Sequence, residues 1–243
     1  MDTRKTNRDM LTIVAVFVSS IIIFTLAGWL EDYIYTVINV QEFLSSHLLL
    51  ELISIIMSIC IFLVGYYAHD KRYHLKEMIL ASVFLSIGLL DAFHTLSYNG
   101  MPTFFTPSSA DKATTFWIAA RLTMAAGILV AGLISDKKKV SINKNVFLIL
   151  PLVWSFVIFY AVTYHLEILP SMFIEGEGLT PLKIVLEYVI MLLLGIGMML
   201  FGRSYFRNQR SKAYLYIVIA LLISVFSESA FTMYTSVYDT YNM

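Results

Sequence analysis

The chain has 243 residues, of which 58% are hydrophobic and only 14% charged, and Lys+Arg and Asp+Glu each total 17. Soluble domains carry about 25% charged residues. With a mean hydropathy of +0.76, that deficit excludes a disordered chain, a nucleic-acid binder and almost any cytosolic enzyme.

A bilayer core about 30 Å thick needs roughly 20 apolar residues per helix. The sequence offers seven such runs, predicted as helices at residues 10–30, 47–67, 77–98, 113–135, 146–166, 181–202 and 213–235. None shows the period-two alternation of a barrel strand. The first run, Leu11 to Leu30, follows Arg4, Lys5 and Arg8. It exceeds a signal peptide's apolar core of roughly 7–15 residues and lacks a small-x-small cleavage site, so it reads as a span. Cys60, in the second run, is the single cysteine, so neither an intrachain disulfide nor a thiolate cluster within one chain can form. Pro102 and Pro107 bracket the loop after the third run. Gly176, Gly178, Thr180 and Pro181 form a loop, N-cap and N1 signature ahead of the sixth.

Lysine and arginine orient these spans. The N-terminus and the even-numbered loops hold Arg4, Lys5, Arg8, Lys71, Arg72, Lys76, Lys137, Lys138, Lys139, Lys144, Arg203, Arg207, Arg210 and Lys212. Only Lys112 and Lys183 fall on the opposite side, and Arg121 lies within a helix. The positive-inside rule then puts the N-terminus in the cytoplasm, and seven spans leave the C-terminus outside. Glu31, Asp32, Glu42, Glu175 and Glu177 fall on the outer side but contribute little to orientation. No linker, charge run, low-complexity tract or internal repeat marks a second domain. The expected fold is all-α: a polytopic helical membrane bundle, a single integral membrane domain over residues 1–243 with no soluble output domain.

A charge inside a membrane is costly and marks a functional site by default. The candidates are Glu51, Asp91, Arg121, Glu187 and Glu228, with His94 and the expected helix-end residues His47 and His165. At about 1.5 Å of rise per residue, Glu51 and His94 lie about 6 Å from the outer helix end, Glu187 about 9 Å, Glu228 and Asp91 about 10 Å, and Arg121 about 12 Å. The inner halves carry no ionisable side chain at comparable depth. Asp91, His94 and Tyr98 share one face of the third helix, Trp117 and Arg121 one face of the fourth, and His47 and Glu51 one face of the second. Ser224, Glu228, Phe231 and Thr235 share a side of the seventh. Ala119, Thr123, Gly127 and Ala131 make a small-residue stripe that lets a neighbour approach the fourth helix and places it centrally.

A structural reading stands beside the functional one. Arg121 paired with Asp91 or Glu228 would fix helix register, His94 suits a hydrogen-bonded core histidine, and His47 with Glu51 suits an interfacial helix start better than a metal site. Four acids against one arginine is the stoichiometry that this reading handles poorly. It points to protonated acids, or to a cation, metal or polar ligand sharing a pocket that opens toward the outer face.

The runs Asp91-Ala-Phe-His94-Thr-Leu-Ser-Tyr98-Asn-Gly-Met101, Phe116-Trp117-Ile-Ala-Ala-Arg121-Leu122 and Ser227-Glu228-Ser-Ala-Phe-Thr-Met-Tyr234 resemble the third class of bacterial membrane-associated sensor domains. The D-x-x-H-T-x-x-Y-x-G-M and W-I-x-x-R elements, in this order, carry the resemblance, which covers nearly the whole chain. It implies an integral membrane input module of the kind that precedes histidine kinase, PAS or diguanylate cyclase regions, multi-pass in the plasma membrane of a prokaryotic cell. Family-type polar positions fall at Asp91, His94, Tyr98, Gly100, Met101, Trp117, Arg121 and Glu228. Asn99 stands where members often carry lysine, and the family's eighth helix, which returns to the cytoplasm, is expected to be missing.

The leading expectation is therefore a sensory, non-enzymatic domain of signal transduction that binds a ligand or ion from the outer face through Asp91, His94, Tyr98, Trp117, Arg121 and Glu228. His47, Glu51, Met101 and Glu187 are additional candidates. A divalent metal would fall to Asp91 and His94, with help from His47 and Glu51 or from Glu228, and mixed His and carboxylate ligands suit zinc or another transition metal. The alternatives are a redox protein holding a haem or quinone near His94, with Met101 or His165 as a second axial ligand, and a small transporter. The transporter lacks the broken helix pairs and inverted repeat of such folds. The expected partners are the lipid bilayer, a small ligand or ion and a second copy of the chain, and no nucleic acid.

Overall fold

Seven helices long and apolar enough to cross a membrane form among the described residues: α1 (Thr3–Trp29), α2 (Val40–Tyr67), α3 (Leu75–Leu96), α4 (Ala110–Leu133), α5 (Val146–Tyr164), α6 (Pro181–Arg207) and α7 (Lys212–Ala230). The computed structural model describes residues 3–30, 33, 35–68, 73–207, 211–234 and 236–242. Glu31, Asp32, Lys71, Arg72, Arg210 and Thr235 lie outside the described residues, as do the side chains of Arg4 and Lys5.

The seven predicted runs recur in order, and caps decide where their ends differ. α2 starts at Val40, seven residues before the expected 47, because the Asn39 side chain accepts from the Gln41 amide at 3.0 Å. His47 is therefore two turns inside the helix rather than at its end. α4 starts early as well, where Ser109 accepts from the Lys112 amide at 3.2 Å. Thr180 accepts from the Lys183 amide at 3.3 Å ahead of Pro181, as the N-cap signature predicts. α7 stops at Ala230, short of the expected 235, and Phe231 follows it as the C-cap. The buried ammonium of Lys183 donates to the Phe231 carbonyl, and the chain then turns back across the end of the bundle.

Proline within α5 is tolerated for a local reason. Pro151 has no N–H to offer the carbonyl four residues earlier, and that Phe147 carbonyl accepts from the Ser82 hydroxyl at 2.7 Å.

α3 and α4 form the centre. α3 packs on α2, α4 and α5, while α4 packs on α3, α5 and α6. The sequence places α4 centrally, and the structure sets α3 beside it. A Cβ at Gly127 would come within 2.2 Å of Val83 Cγ2, so the small stripe of α4 receives α3. Val83, Ile87, Ile118, Ile128, Ile190, Leu194, Phe201 and Leu221 form the main apolar core. α1 packs on α7, where Phe17 and Phe24 meet Phe226, and is otherwise exposed along its apolar length.

Two short antiparallel pairings close the ends. β1 (Tyr73–His74) pairs with β2 (Lys139–Val140), and β3 (Phe173–Ile174) forms a hairpin with β4 (Gly178–Leu179) across Gly176, which takes φ +84°. Asp111 at the start of α4 anchors this hairpin by accepting from the Met172 and Phe173 amides at 2.6 and 3.1 Å.

The end assigned to the cytoplasm holds buried charge of its own, at the helix termini. Lys76 is buried and pairs with Asp136, which also accepts from Ser204 and Tyr214 at 3.1 Å each. Asp9 accepts from the Tyr205 hydroxyl at 2.8 Å and from Lys212 at 3.0 Å. Burial pulls the Asp136 carboxyl upward, but the Lys76 ammonium and the two hydroxyls outweigh it and hold the group below the usual carboxylate range.

Candidate functional site

The polar residues of the outer half fall into two adjoining groups. In the first, Arg121 of α4 reaches Asp91 of α3 at 2.7 Å, and Asp91 is fully buried. The Arg121 guanidinium also lies 4.2 Å from the Trp117 ring centre, one turn back on its own helix. The second group is Lys183 and Glu187 on α6, both fully buried one turn apart. Lys183 Nζ lies 3.0 Å from Glu187 Oε1, close enough for an ion pair though not aligned as a hydrogen bond. Glu228 of α7 is buried within the fields of Arg121, Glu187 and Lys183 and so joins the two groups.

This arrangement corrects the charge stoichiometry. Lys183, counted in the sequence as an outer-loop charge, is a buried partner of Glu187, so four acids share two cations rather than one. The signal was present as Lys183-x-x-x-Glu187, a helical i,i+4 pair. Lys112, also counted as a loop charge, is buried on α4 and donates to the Phe104 carbonyl and the Thr106 hydroxyl at 2.9 Å each.

Beside these groups lies a cavity of about 40 Å³, lined by His47, Glu51, His94, Tyr98, Ala110, Thr114, Trp117, Phe231, Tyr234, Val237 and Asn242. It has room for about three waters or one small ion, and a haem or quinone ring would need its walls to part. Met101 and His165, named as axial-ligand candidates, are not among its lining residues. Met101 packs in the apolar cluster around Phe43 and Tyr98, and the His165 ring lies against Tyr160 at 5.3 Å. Asp91 and Arg121 sit beside the cavity rather than in its wall.

Close approach of α2 and α3 builds one wall. A Cβ on Gly88 would meet Ser58 Cβ at 3.3 Å, and on Gly65 it would meet Ala81 Cβ at 2.7 Å, so small residues hold the two helices together. The His47 ring then lies 5.6 Å from His94 and 4.5 Å from Tyr98. One ligand atom from each of His47, Glu51 and His94 falls within 4.8 Å of the other two. His94 Nδ1 lies 2.8 Å from the Ala113 carbonyl. A carbonyl only accepts, so Nδ1 carries the proton and Nε2 keeps its lone pair. His47 Nε2 and Glu51 Oε2 are buried and have no hydrogen-bond partner among the described residues.

The segment after α7 roofs the cavity, which the sequence reading missed by extending α7 to 235. Tyr98 donates to the Val237 carbonyl at 2.5 Å, and Asn242 Nδ2 donates to the Tyr98 hydroxyl at 2.7 Å. Tyr238 donates to the Asn99 carbonyl at 3.0 Å, and Ile38 donates to the Tyr238 carbonyl at 2.9 Å. Burial raises the Tyr98 phenol well above its ordinary range, so it stays a donor. Gly100, at φ +87°, lies under this roof, where a Cβ would come 3.2 Å from the Tyr238 hydroxyl. The Tyr-rich sequence after Glu228 was the available signal.

A family model described as MASE3, membrane-associated sensor domain, matches residues 38–243. No curated protein and no solved structure matches the chain.

Proposed function

The chain belongs to the MASE3 family of membrane-associated sensor domains, and we propose that its stimulus is a small polar ligand or ion taken into the outer cavity. The reading places this multi-pass protein in the plasma membrane of a prokaryotic cell, with the cavity facing outward, and gives it no catalytic step of its own. One observation carries it: His47 Nε2 and Glu51 Oε2 are buried, with no hydrogen-bond partner among the described residues, in the wall of a cavity to which α2, α3, α4 and the segment after α7 all contribute. Burying a polar group without a partner is costly, and a ligand that satisfies both atoms recovers that cost.

A ligand shifts a conformational equilibrium only as far as it favours one state over the other. Because four separate segments wall this cavity, occupancy depends on how they sit together, and ligand contacts bias their packing. Asp91, Arg121 and Glu228, with Lys183 and Glu187, hold α3, α4, α6 and α7 in register. Tyr98 and Trp117 form the amphipathic walls.

Native mass spectrometry of the detergent-purified chain beside a His47→Ala variant tests this. An added mass in the wild type that the variant lacks supports the reading. An identical mass in both, with unchanged amide exchange over residues 40–51 and 236–242, counts against it.

A further inference from the structure

We propose that His47, Glu51 and His94 form a three-ligand site for a divalent transition-metal ion of the zinc type. This deepens the sensory reading of the same cavity and rests on it. His47 and Glu51 stand one turn apart on the same face of α2, and His94 faces them from α3. Three protein ligands drawn from two histidines and a glutamate, with a fourth position left open, is the donor set of accessible zinc sites. Imidazole nitrogen with a single carboxylate suits zinc, cobalt, nickel or copper, and magnesium and calcium prefer all-oxygen shells.

The surroundings are those a ligated histidine needs. Metal-binding imidazoles donate their other ring N–H to an acceptor, which fixes the tautomer. His94 already does so toward the Ala113 carbonyl at 2.8 Å, leaving Nε2 as the donor atom. His47 Nε2 and Glu51 Oε2 have no competing hydrogen bond among the described residues. Asp91, expected from the sequence as His94's co-ligand, is engaged through Oδ1 by Arg121 at 2.7 Å, and that contact offsets the guanidinium charge. Within the outer half of the spans Glu51, Asp91, Glu187 and Glu228 stand against Arg121 and Lys183, and at the rim Asp111 and Asp239 stand against Lys112, an imbalance of the sign that a cation relieves.

The same geometry supplies a mechanical output. Tetrahedral zinc with bonds of about 2.1 Å holds its ligand atoms about 3.4 Å apart. These atoms lie within 4.8 Å of one another, so any closure onto a bound ion acts between α2 and α3, beside Phe43 and Tyr98 under the roof. Shifts of 1–2 Å between packed helices are the usual scale of such transitions.

The test uses the full chain in detergent, stripped with a chelator, dialysed and titrated with Co²⁺. One Co²⁺ per chain is expected, with visible ligand-field bands that Zn²⁺ abolishes by displacement. His47→Gln and Glu51→Gln should each weaken Co²⁺ by more than about 100-fold, beyond the effect of losing an outer partner. His165→Ala, outside the cavity, should bind as the wild type does. His94→Ala is informative only if it purifies as a monodisperse species, because it also loses the Ala113 bond, and the two Gln variants therefore carry the test. Co²⁺ binding that persists in the His47→Gln, Glu51→Gln double variant overturns the site. A wild-type chain that takes no Co²⁺ but keeps a non-metal adduct dependent on His47 overturns the metal and leaves the sensory cavity standing. The absence of both overturns both.

Discussion

The Tyr98 hydroxyl donates to the Val237 carbonyl at 2.5 Å, tying the end of α3 to a segment 139 residues later in the chain. Asn242 completes the link by donating both to that hydroxyl and to the Val237 carbonyl, at 2.7 and 2.8 Å. Tyr98→Phe removes the bond to Val237 and the bond from Asn242 but leaves the carbonyl its Asn242 bond, so the expected loss is about 1–2 kcal/mol. Amide exchange over residues 236–242 should quicken by roughly 5- to 30-fold while α3 and α4 keep their protection. Unchanged exchange in the roof would mean that this bond does not hold it.

Arg121→Ala leaves Asp91 buried without its cation, and breaking a buried pair costs about 3–5 kcal/mol. The thermal unfolding midpoint of the detergent-purified protein should fall clearly. Replacing both partners with apolar residues, as in Asp91→Leu with Arg121→Met, should destabilise less than Arg121→Ala alone. A double variant no better than the single would show that Arg121 is held chiefly by Trp117 and Glu228.

Lys183→Met removes the ammonium that pairs with Glu187 and donates to the Phe231 carbonyl. A loss of about 3 kcal/mol is expected from the uncompensated carboxylate, with faster exchange where α7 gives way to the roof. Adding Glu187→Leu should restore most of the stability but not the roof's protection, because the Phe231 carbonyl stays without its donor.

Asp136 is expected to set the acid limit of the bundle end where the basic residues cluster. Its carboxyl is held below the usual range in the fold, so its stabilisation is complete above the unfolded value of about 3.9 and is lost as pH falls through the lower folded value. Unfolding midpoints measured on descending pH should therefore drop below about pH 4 in the wild type. Asp136→Asn should start lower and show a shallower acid decline. An equally steep decline in that variant would assign the acid transition to other carboxylates.

Gly127→Ala places a Cβ 2.2 Å from Val83 Cγ2. Val83 is β-branched and stiff, so α3 and α4 must separate, at an expected cost of about 1–3 kcal/mol. Adding Val83→Ala to this variant should recover part of it, and no recovery would place the strain elsewhere.

Much of the fold was legible in the chain, and the site only in part. Asp91, His94, Trp117 and Arg121 stood out because ionisable and aromatic residues at helical spacing in apolar runs are rare. His47 and Glu51 read in sequence as an interfacial helix start because the apolar run begins near 47, whereas the Asn39 cap starts the helix at Val40 and carries both residues inward. Lys183 was hidden for the complementary reason: it lies at the boundary of a run, where a lysine usually marks a loop. The roof is not legible in the sequence because the apolar run continues past Ala230, whereas in the fold the Phe231 cap, the turn bonds after it and the Lys183 contact end the helix.

Composition and charge placement by themselves determined that the chain spans a membrane seven times and which end is expected inside. In lipid each spanning helix must satisfy its own backbone, so apolar length is read off segment by segment. Tertiary structure decided which face of each helix meets its neighbours. In a bilayer the lipid-facing and buried sides are both apolar, so no amphipathic stripe announces the interior. Close approaches at Gly65 and Gly88 set α2 against α3, and that at Gly127 sets α4 against α3; in that packing His47, Glu51 and His94 line one cavity and Asp91 pairs with Arg121.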